Sequence, residues 1–485
     1  MPRHRPERRI PLAASTLVAL SVFATCVEGQ EPGRAELSGP ITGGQRGTAF
    51  GALGGAALPA GYAESEWFLS GIASSYEKVG TWGLDGRWDA VPAGTEPFAI
   101  RLLIRRPIEA SAFNGVVVVE WLNVTAQSEG AADYSQMAEE LVREGYAWVG
   151  VGAQSVGVNA AGTGLKAWDP ERYGALSHPG DRFSYDIFSL AARALRVTPE
   201  SGHPLAGLRV GHLVATGRSQ SAFRLVTYVN AIHPREGLFD GYFIHSRGAN
   251  ASGLTAEGMG ADAERPIPPG ARIRTDLDVP VFDLQTEGDM VALRSHLTRQ
   301  PPGDQYRRWE IAGAAHAEVP RWIIEEPPPL STGPGCALPV NAAPHDAIVK
   351  AGLRAFSRWV TAGQVPAQSP EIELGDPNAE DPIVRDEYGN ALGGIRLPHL
   401  EAPTATLDGR RNSVAPPAPP GQNFCFLFGA TEAFSADTLR EMYPNREAFL
   451  TPYIAAVDAL ERDGYLLPPE AEAARRAAVD STIGL

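Results

Sequence analysis

The chain has 485 residues, 44% of them hydrophobic and 20% charged, with a formal net charge of −15 at pH 7. This composition is typical of a globular protein, and the length allows one large domain with extensions, or two domains. The negative charge argues against nucleic acid or an anionic membrane surface as a partner.

Residues 1–29 have the pattern of a secretory signal peptide. Four arginines between positions 3 and 9 precede an apolar stretch at 11–26, and polar residues follow. The stretch is too short and too poorly flanked for a transmembrane helix, so we expect cleavage near 26–29 and a secreted or periplasmic protein. Residues 23–26 loosely resemble a lipoprotein box, so a lipid anchor at Cys26 is the minor alternative.

Two cysteines remain after such a leader is removed, Cys336 and Cys425. In an oxidising compartment an even pair favours a disulfide between them. The alternative is a pair of buried free thiols.

Strands and helices alternate after a Gly-, Ala- and Pro-rich segment at 30–60, which we expect to be irregular. Residues 66–73 and 98–105 predict an antiparallel pair of strands at the sheet edge. Four consecutive valines within 115–123 predict a strand buried on both faces. Asp133 and Gln136 then predict a capping box at the start of a helix that ends at Gly145.

The remaining predicted elements continue this alternation. Strands are predicted at 146–151, 213–216, 239–245, 279–285 and 306–312, with helices at 185–195, 222–230 and 348–360. The spacing predicts an α/β fold with a mostly parallel sheet covered by helices on both faces. Residues 248–278 predict a lid-like insertion, and we expect residues 366–485 to form a helical extension packed on a core at 61–365.

The stretch Gly217-Arg218-Ser219-Gln220-Ser221 joins a predicted strand to a predicted helix. A nucleophilic serine on such a sharp turn needs small residues two positions before and after it. Gly217 and Ser221 meet this need, although serine replaces the usual last glycine. The pattern predicts a nucleophile elbow at Ser219, whereas an ordinary loop with a helix-capping serine is the alternative.

Asp289 and His316 each follow a predicted strand, as Ser219 does. A serine hydroxyl needs a base to remove its proton, and a histidine base needs a carboxylate to orient it. Because the carboxyl ends of parallel strands lie at one edge of a sheet, we expect these three side chains to meet there. Glu287, at the same strand end as Asp289, is the alternative acid, and His245 is a less favoured base.

An oxyanion formed during such a reaction needs two N–H donors. One is expected from Gln220, the residue after the nucleophile. The other is expected from Leu122 or Asn123, in the loop after the valine-rich strand. The usual His-Gly-Gly motif is absent there, so the sequence leaves the choice of the second donor open.

The order Ser, Asp, His is that of the α/β-hydrolase fold. Three stretches resemble a family of secreted or periplasmic bacterial α/β-hydrolase domain proteins: Val-Val-Glu-Trp-Leu-Asn-Val at 118–124, Gly-Arg-Ser-Gln-Ser at 217–221 and Gly-Gly-Ile-Arg at 393–396. The resemblance runs from residue 66 to the C-terminus and so includes the extension. It implies serine hydrolase activity, foremost the cleavage of carboxylic esters.

The expected partner is therefore a small molecule of ester type. An amidase, a lactonase or an acyltransferase would use the same three side chains, and a non-catalytic binding protein with this fold is the remaining alternative. The sequence contains no HExxH, CxxC or P-loop motif, so we expect neither a metal nor a cofactor.

Overall fold

The computed structural model describes residues 33–54, 57–196, 202–257, 267–317, 335–376, 379–410, 412–415 and 424–485. The predicted signal peptide and Cys26 lie outside the described residues.

A nine-stranded sheet forms the centre of the molecule, in the order β1-β2-β3-β5-β4-β6-β7-β8-β9. The first three strands pair antiparallel and β3 pairs antiparallel with β5, whereas all later pairings are parallel. The strands are β1 (Ala35–Ser38), β2 (Tyr62–Val79), β3 (Asp89–Pro107), β4 (Val116–Trp121), β5 (Ala147–Val151), β6 (His212–Arg218), β7 (Gly241–His245), β8 (Val281–Thr286) and β9 (Tyr306–Ile311).

The helices of the sheet region are α1 (Tyr134–Arg143), α2 (Ser155–Asn159), α3 (Leu165–Trp168), α4 (Pro170–Tyr173), α5 (Ser184–Arg196), α6 (Gln220–Thr227), α7 (His233–Glu236), α8 (Glu287–Val291) and α9 (Asp346–Ala362). After α9 come α10 (Pro398–Glu401), α11 (Cys425–Phe428), α12 (Ala436–Met442), α13 (Arg446–Arg462) and α14 (Pro468–Asp480). Two further strands, β10 (Ala405–Asp408) and β11 (Ala430–Ala433), pair antiparallel in a small second sheet. Of the helices that the structure describes, none is long and apolar enough to cross a bilayer.

Helices cover both faces of the main sheet, as the alternation of elements predicts. Val117 and Val119 of β4 belong to the core shared with α5 and α6. Val116 and Val118 belong to the opposite core, shared with α1, α9 and the C-terminal helices. Because successive strand residues point to opposite faces, the run of valines supplies both cores. The prediction of a doubly buried strand is confirmed.

One local prediction is incomplete and another is wrong. The described part of residues 30–60 is mostly irregular, but it contains β1, which pairs with β2 and forms the sheet edge. Asp133 makes no capping hydrogen bond at the start of α1. Glu120 of β4 instead accepts the N–H groups of Asp133 and of the next residue, both at 2.9 Å. The Asp133 carboxylate turns inward, where Thr216 donates to it at 2.5 Å and His245 contacts it at 2.8 Å.

The described parts of the predicted lid-like insertion, 248–257 and 267–278, pack against the helices that flank the sheet. The hydroxyl of Tyr185 donates to the carbonyl oxygen of Ser252 at 3.0 Å. The guanidinium of Arg224 donates to the carbonyl oxygen of Ala256 at 2.7 Å. These bonds hold the first part of the insertion on α5 and α6.

Candidate active site

Ser219 lies on a sharp turn between the end of β6 and the start of α6. Its backbone angles, φ 60° and ψ −123°, are rare for a residue that carries a side chain. The N–H of Ser219 donates to the carbonyl oxygen of His245 at 2.9 Å, which holds this strained conformation. The turn has the geometry that the sequence predicts for a nucleophile elbow.

The small residues around Ser219 are required by space. A β-carbon placed on Gly217 would lie 3.1 Å from the β-carbon of Ser221 and 3.1 Å from Leu225. Ser221 itself is fully buried, and its hydroxyl has no hydrogen-bond partner among the described residues. Serine therefore fits where a glycine is usual because position 217 carries no side chain.

His316 lies between Ser219 and Asp289 at the carboxyl edge of the sheet. Its Nε2 is 2.9 Å from the Oγ of Ser219, and its Nδ1 is 2.5 Å from the Oδ1 of Asp289. Ser219 is partly exposed, whereas His316 and Asp289 are buried. The structure thus brings together the three side chains that the sequence singles out, with the serine facing outward.

Asp289 is set up to remain ionised. Burial acts to raise its pKa, but the charge of His316, the hydrogen bond to that ring and the N–H of Thr286 outweigh burial and lower the pKa from 3.8 to about 2. The second oxygen of the carboxylate accepts the Thr286 N–H at 2.7 Å. The carboxylate is therefore fixed on both oxygens and carries a negative charge beside the imidazole.

Glu287, the alternative acid, is committed elsewhere. It is fully buried, and its carboxylate accepts the N–H of Gly313 at 2.7 Å and the N–H of Gly409 at 3.1 Å. The guanidinium of Arg385 donates to it at 3.0 Å. Glu287 thus connects β8 to the C-terminal extension, and Asp289 is the carboxylate beside His316.

His245, the less favoured base, is buried behind the elbow. Its Nδ1 is 2.8 Å from a carboxylate oxygen of Asp133, and both side chains are inaccessible to solvent. Burial lowers the pKa of His245, which favours the neutral ring. Its structural contribution is the backbone carbonyl that receives the N–H of Ser219.

The backbone amides predicted as the second oxyanion donor are already engaged. The N–H of Leu122 donates to Val151 at 3.2 Å, and the N–H of Asn123 donates to Gly130 at 2.9 Å. The prediction that Leu122 or Asn123 supplies the second donor is therefore corrected, because neither backbone N–H is available. Their amides are used by the sheet edge and by a short antiparallel bridge within the loop, pairings that the local sequence does not specify.

The next amide along the loop, that of Val124, donates no hydrogen bond to any described residue. The side chain of Asn123 donates to the carbonyl oxygen of Arg218 at 3.0 Å and accepts the N–H of Thr125 at 2.8 Å. The turn at 123–125 is thereby held against the elbow. Gln220, the residue after Ser219, is the first residue of α6.

Sequence reasoning missed two residues that support this arrangement. The guanidinium of Arg218 donates to the carbonyl oxygen of His316 at 2.5 Å. Gln154 accepts the side-chain N–H groups of Gln220 at 2.8 Å and of Trp121 at 3.0 Å. Arg218 lies inside the predicted elbow, and an arginine directly before the serine was the signal that could have indicated its role. Gln154, after β5, carries no comparable signal.

Cys336 and Cys425 form a disulfide, with their α-carbons 5.5 Å apart. Among the residues that the structure describes, no group of three or more His, Cys, Asp or Glu side chains is arranged to hold a metal ion.

Residues 37–476 match the model of a protein family described as an alpha/beta hydrolase domain. No curated protein sequence is significantly similar to the chain.

Solved structures with detectable similarity include an alpha-beta serine hydrolase homologue from Coxiella burnetii, with 10% identity over 45% of this chain and 84% of that chain and a TM-score of 0.27. Another is a Xanthomonas campestris serine hydrolase described as lacking a lid, with 15% identity over 49% and 84% and a TM-score of 0.25. A third is Est1E from Butyrivibrio proteoclasticus, with 12% identity over 50% and 90% and a TM-score of 0.26. With TM-scores this low, none of them bears on the site of this chain.

Proposed function

The chain belongs to the alpha/beta hydrolase domain family, and on that premise we propose that it is a serine hydrolase that cleaves carboxylic esters through an acyl-enzyme. The observation that carries the proposal is the pair of contacts made by His316, one to the Ser219 hydroxyl at 2.9 Å and one to the Asp289 carboxylate at 2.5 Å. A base oriented by a carboxylate and bonded to a serine is the arrangement that activates this nucleophile.

In the proposed reaction the Oγ of Ser219 attacks the ester carbonyl while the Nε2 of His316 takes the hydroxyl proton. Asp289 holds the ring in the required tautomer and stabilises the imidazolium that forms. His316 then protonates the leaving alcohol, so the acyl group remains on Ser219. Water attacks that acyl group, with His316 again as the base, and the free acid and the starting enzyme result.

The oxyanion is proposed to bind the backbone N–H groups of Gln220 and Val124. The position of Gln220 directly after the nucleophile, at the start of α6, supports the first assignment. The Val124 N–H donates to no described residue, and the Asn123 side chain holds this turn beside the elbow, which together support the second. Two donors fixed before the reaction lower the barrier because they need no reorganisation.

The experiment that tests the proposal is replacement of the nucleophile. Ser219→Ala should lower kcat for p-nitrophenyl acetate by at least about 10³-fold, because the acyl-enzyme cannot form. Ser221→Ala, which removes a buried hydroxyl two positions away, serves as the matched control and should retain turnover. Circular dichroism establishes that both variants fold. Substantial activity in folded Ser219→Ala would remove Ser219 from the proposed role.

Esters are proposed ahead of amides, lactones or transfer to an alcohol because of the sequence resemblance to ester-cleaving serine hydrolases. Turnover of a p-nitrophenyl ester compared with its p-nitroanilide ranks ester against amide cleavage directly. An anilide hydrolysed faster than the ester would replace the esterase proposal by an amidase.

We also propose that the protein is secreted or periplasmic. The basic and apolar pattern of residues 1–29 supports this location, and so does the disulfide between Cys336 and Cys425, since disulfides persist in oxidising compartments. N-terminal sequencing of the protein recovered from the native host tests it. A chain that begins near residues 26–29 is expected, whereas an unprocessed cytoplasmic chain would contradict the proposal.

A further inference from the structure

The loop that carries His316, residues 313–317 and hereafter the histidine loop, is held by hydrogen bonds along its whole length. Gly288, beside Asp289, donates its N–H to the carbonyl oxygen of Ala314 at 3.0 Å. Arg218 donates to the carbonyl oxygen of His316 at 2.5 Å. These bonds connect the histidine loop to the acid and to the nucleophile. The N–H of Gly313 donates to the carboxylate of Glu287 at 2.7 Å. Further bonds of the loop reach residues that lie after it in the chain.

At its far end, the histidine loop is held by α11. The N–H of Ala317, the residue after His316, donates to the carbonyl oxygen of Leu427 at 2.7 Å. Cys425, in the same short helix, is disulfide-bonded to Cys336. A four-residue helix is too short to be stable alone, so its position depends on this covalent bond and on the residues around it.

At its near end, the histidine loop is held by Asn341, which follows Cys336 in the chain. The Asn341 side chain donates to the carbonyl oxygen of Gly313 at 2.8 Å. Its backbone N–H donates to the carbonyl oxygen of Phe428, in α11, at 2.9 Å. The disulfide therefore links α11 to the segment that carries Asn341, and these two parts hold the two ends of the histidine loop.

Gly409, the residue after β10, lies between the histidine loop and the acid. A β-carbon placed on Gly409 would stand 2.6 Å from the carbonyl oxygen of Ala314 and 2.6 Å from the nitrogen of Gly288. Those two backbone atoms form the hydrogen bond between the histidine loop and the residue before Asp289. Any side chain at this position would have to push the histidine loop away from Gly288.

We propose that Gly409, α11 and the Cys336–Cys425 disulfide form a C-terminal clamp that positions His316 against Ser219 and Asp289. The inference rests on the proposed function in that it takes His316 as the catalytic base. The clamp residues are positioning residues, since they contact the backbone of the histidine loop and not the reacting atoms. The C-terminal extension thus helps to position the base of the active site.

The clamp makes a specific kinetic prediction. A base displaced by about 1 Å costs on the order of 10²-fold in rate, so loosening the histidine loop should lower kcat by about 10- to 100-fold. KM should change by less than about 2-fold, because displacing the base weakens stabilisation of the transition state and not binding of the substrate. The far-downfield proton signal of the His316–Asp289 hydrogen bond should broaden or disappear in the same variants.

The test compares two clamp variants with one control that weakens the extension elsewhere. Cys336→Ser/Cys425→Ser opens the clamp, and Gly409→Ala forces its backbone contacts apart. The control is Glu470→Gln, which removes the ion pair at 2.7 Å between α14 and Arg143 of α1. We expect both clamp variants to lose kcat and the proton signal well below their Tm, while Glu470→Gln keeps kcat and the signal. If a variant fails to fold, dithiothreitol reduction of the folded wild-type protein provides the same comparison.

Two results would overturn the clamp. One is a wild-type kcat and proton signal in folded clamp variants whose Tm alone has fallen. The other is an equal loss of kcat in Glu470→Gln, which would indicate general loosening of the extension. Failure of the proposed function looks different: the wild-type protein then hydrolyses no ester and reacts with no fluorophosphonate, while the proton signal still reports whether the clamp holds His316.

Discussion

Replacing each of the two carboxylates at the end of β8 separates the acid from the structural residue. Glu287→Gln should destabilise the fold and largely spare the reaction, because Glu287 binds two backbone N–H groups and Arg385. Hydrogen bonds to charged groups each contribute about 1.5–3 kcal/mol. Glutamine retains one acceptor oxygen and turns its NH2 toward a donor, so one bond is lost and one contact becomes repulsive.

The expected decrease in the free energy of unfolding is about 3 kcal/mol, at the lower end of the range for breaking a buried ion pair. The loss stays at that end because Arg385 keeps a second partner, Asp381, at 2.9 Å. Urea unfolding measures this change. We expect kcat to fall by less than about 10-fold, through the weakened hold on Gly313 alone.

Asp289→Asn should have the opposite kinetic result. Asparagine can still accept the N–H of Thr286, but its amide stabilises neither the required tautomer of His316 nor the imidazolium. We therefore expect kcat to fall by about 10⁴-fold, measured with p-nitrophenyl acetate on folded protein. A 10⁴-fold loss in Glu287→Gln together with an active Asp289→Asn would refute the assignment and make Glu287 the acid.

Three further outcomes are expected. The folded state lowers the pKa of Asp289 from 3.8 to about 2, so it binds this proton less tightly than the unfolded chain does. The free energy of unfolding should therefore fall by about 2 kcal/mol as the pH drops from about 5 to about 1, a component that acid titration of Asp289→Asn should lack. Val124→Pro, which removes one proposed oxyanion donor, should lower kcat by about 10²- to 10³-fold, whereas Val124→Ala should not. Ser221→Ala should raise the free energy of unfolding by about 1 kcal/mol in urea, because it removes a buried hydroxyl with no partner among the described residues, and a decrease would contradict that reading.

The parallel half of the sheet could be predicted because its signals are local. The valine run of β4 and the apolar residues before Ser219 belong to strands buried on both faces. Strands of this kind appear in the sequence as continuous apolar stretches. The short edge strand β1 was missed because its burial only alternates between partial and exposed, and its pairing depends on β2.

The candidate site, too, could be predicted only where its signals are local. Ser219, Asp289 and His316 could be found because each directly follows a strand, and the sheet brings strand ends together. The different surroundings of Asp289 and Glu287 could not be predicted from the local sequence, since the Glu287 carboxylate is bound by Arg385 and Gly409 from the C-terminal extension.

The engagement of the Leu122 and Asn123 amides could not be predicted for a related reason. The carbonyl groups of Val151 and Gly130 take the amides of Leu122 and Asn123, and no pattern within the loop specifies those partners. The capping of α1 by Glu120, from a neighbouring strand, is likewise a tertiary contact that local propensity does not encode.

The most direct test of the central claim is reaction of the folded protein with a fluorophosphonate, followed by mass spectrometry of its peptides. Only a serine activated by a base reacts with this probe at an appreciable rate. We predict a single adduct on Ser219, with labelling lost in Ser219→Ala and strongly slowed in His316→Ala. Folded wild-type protein that takes up no probe, or a Ser219→Ala variant that is labelled as fast as the wild type, would contradict the account.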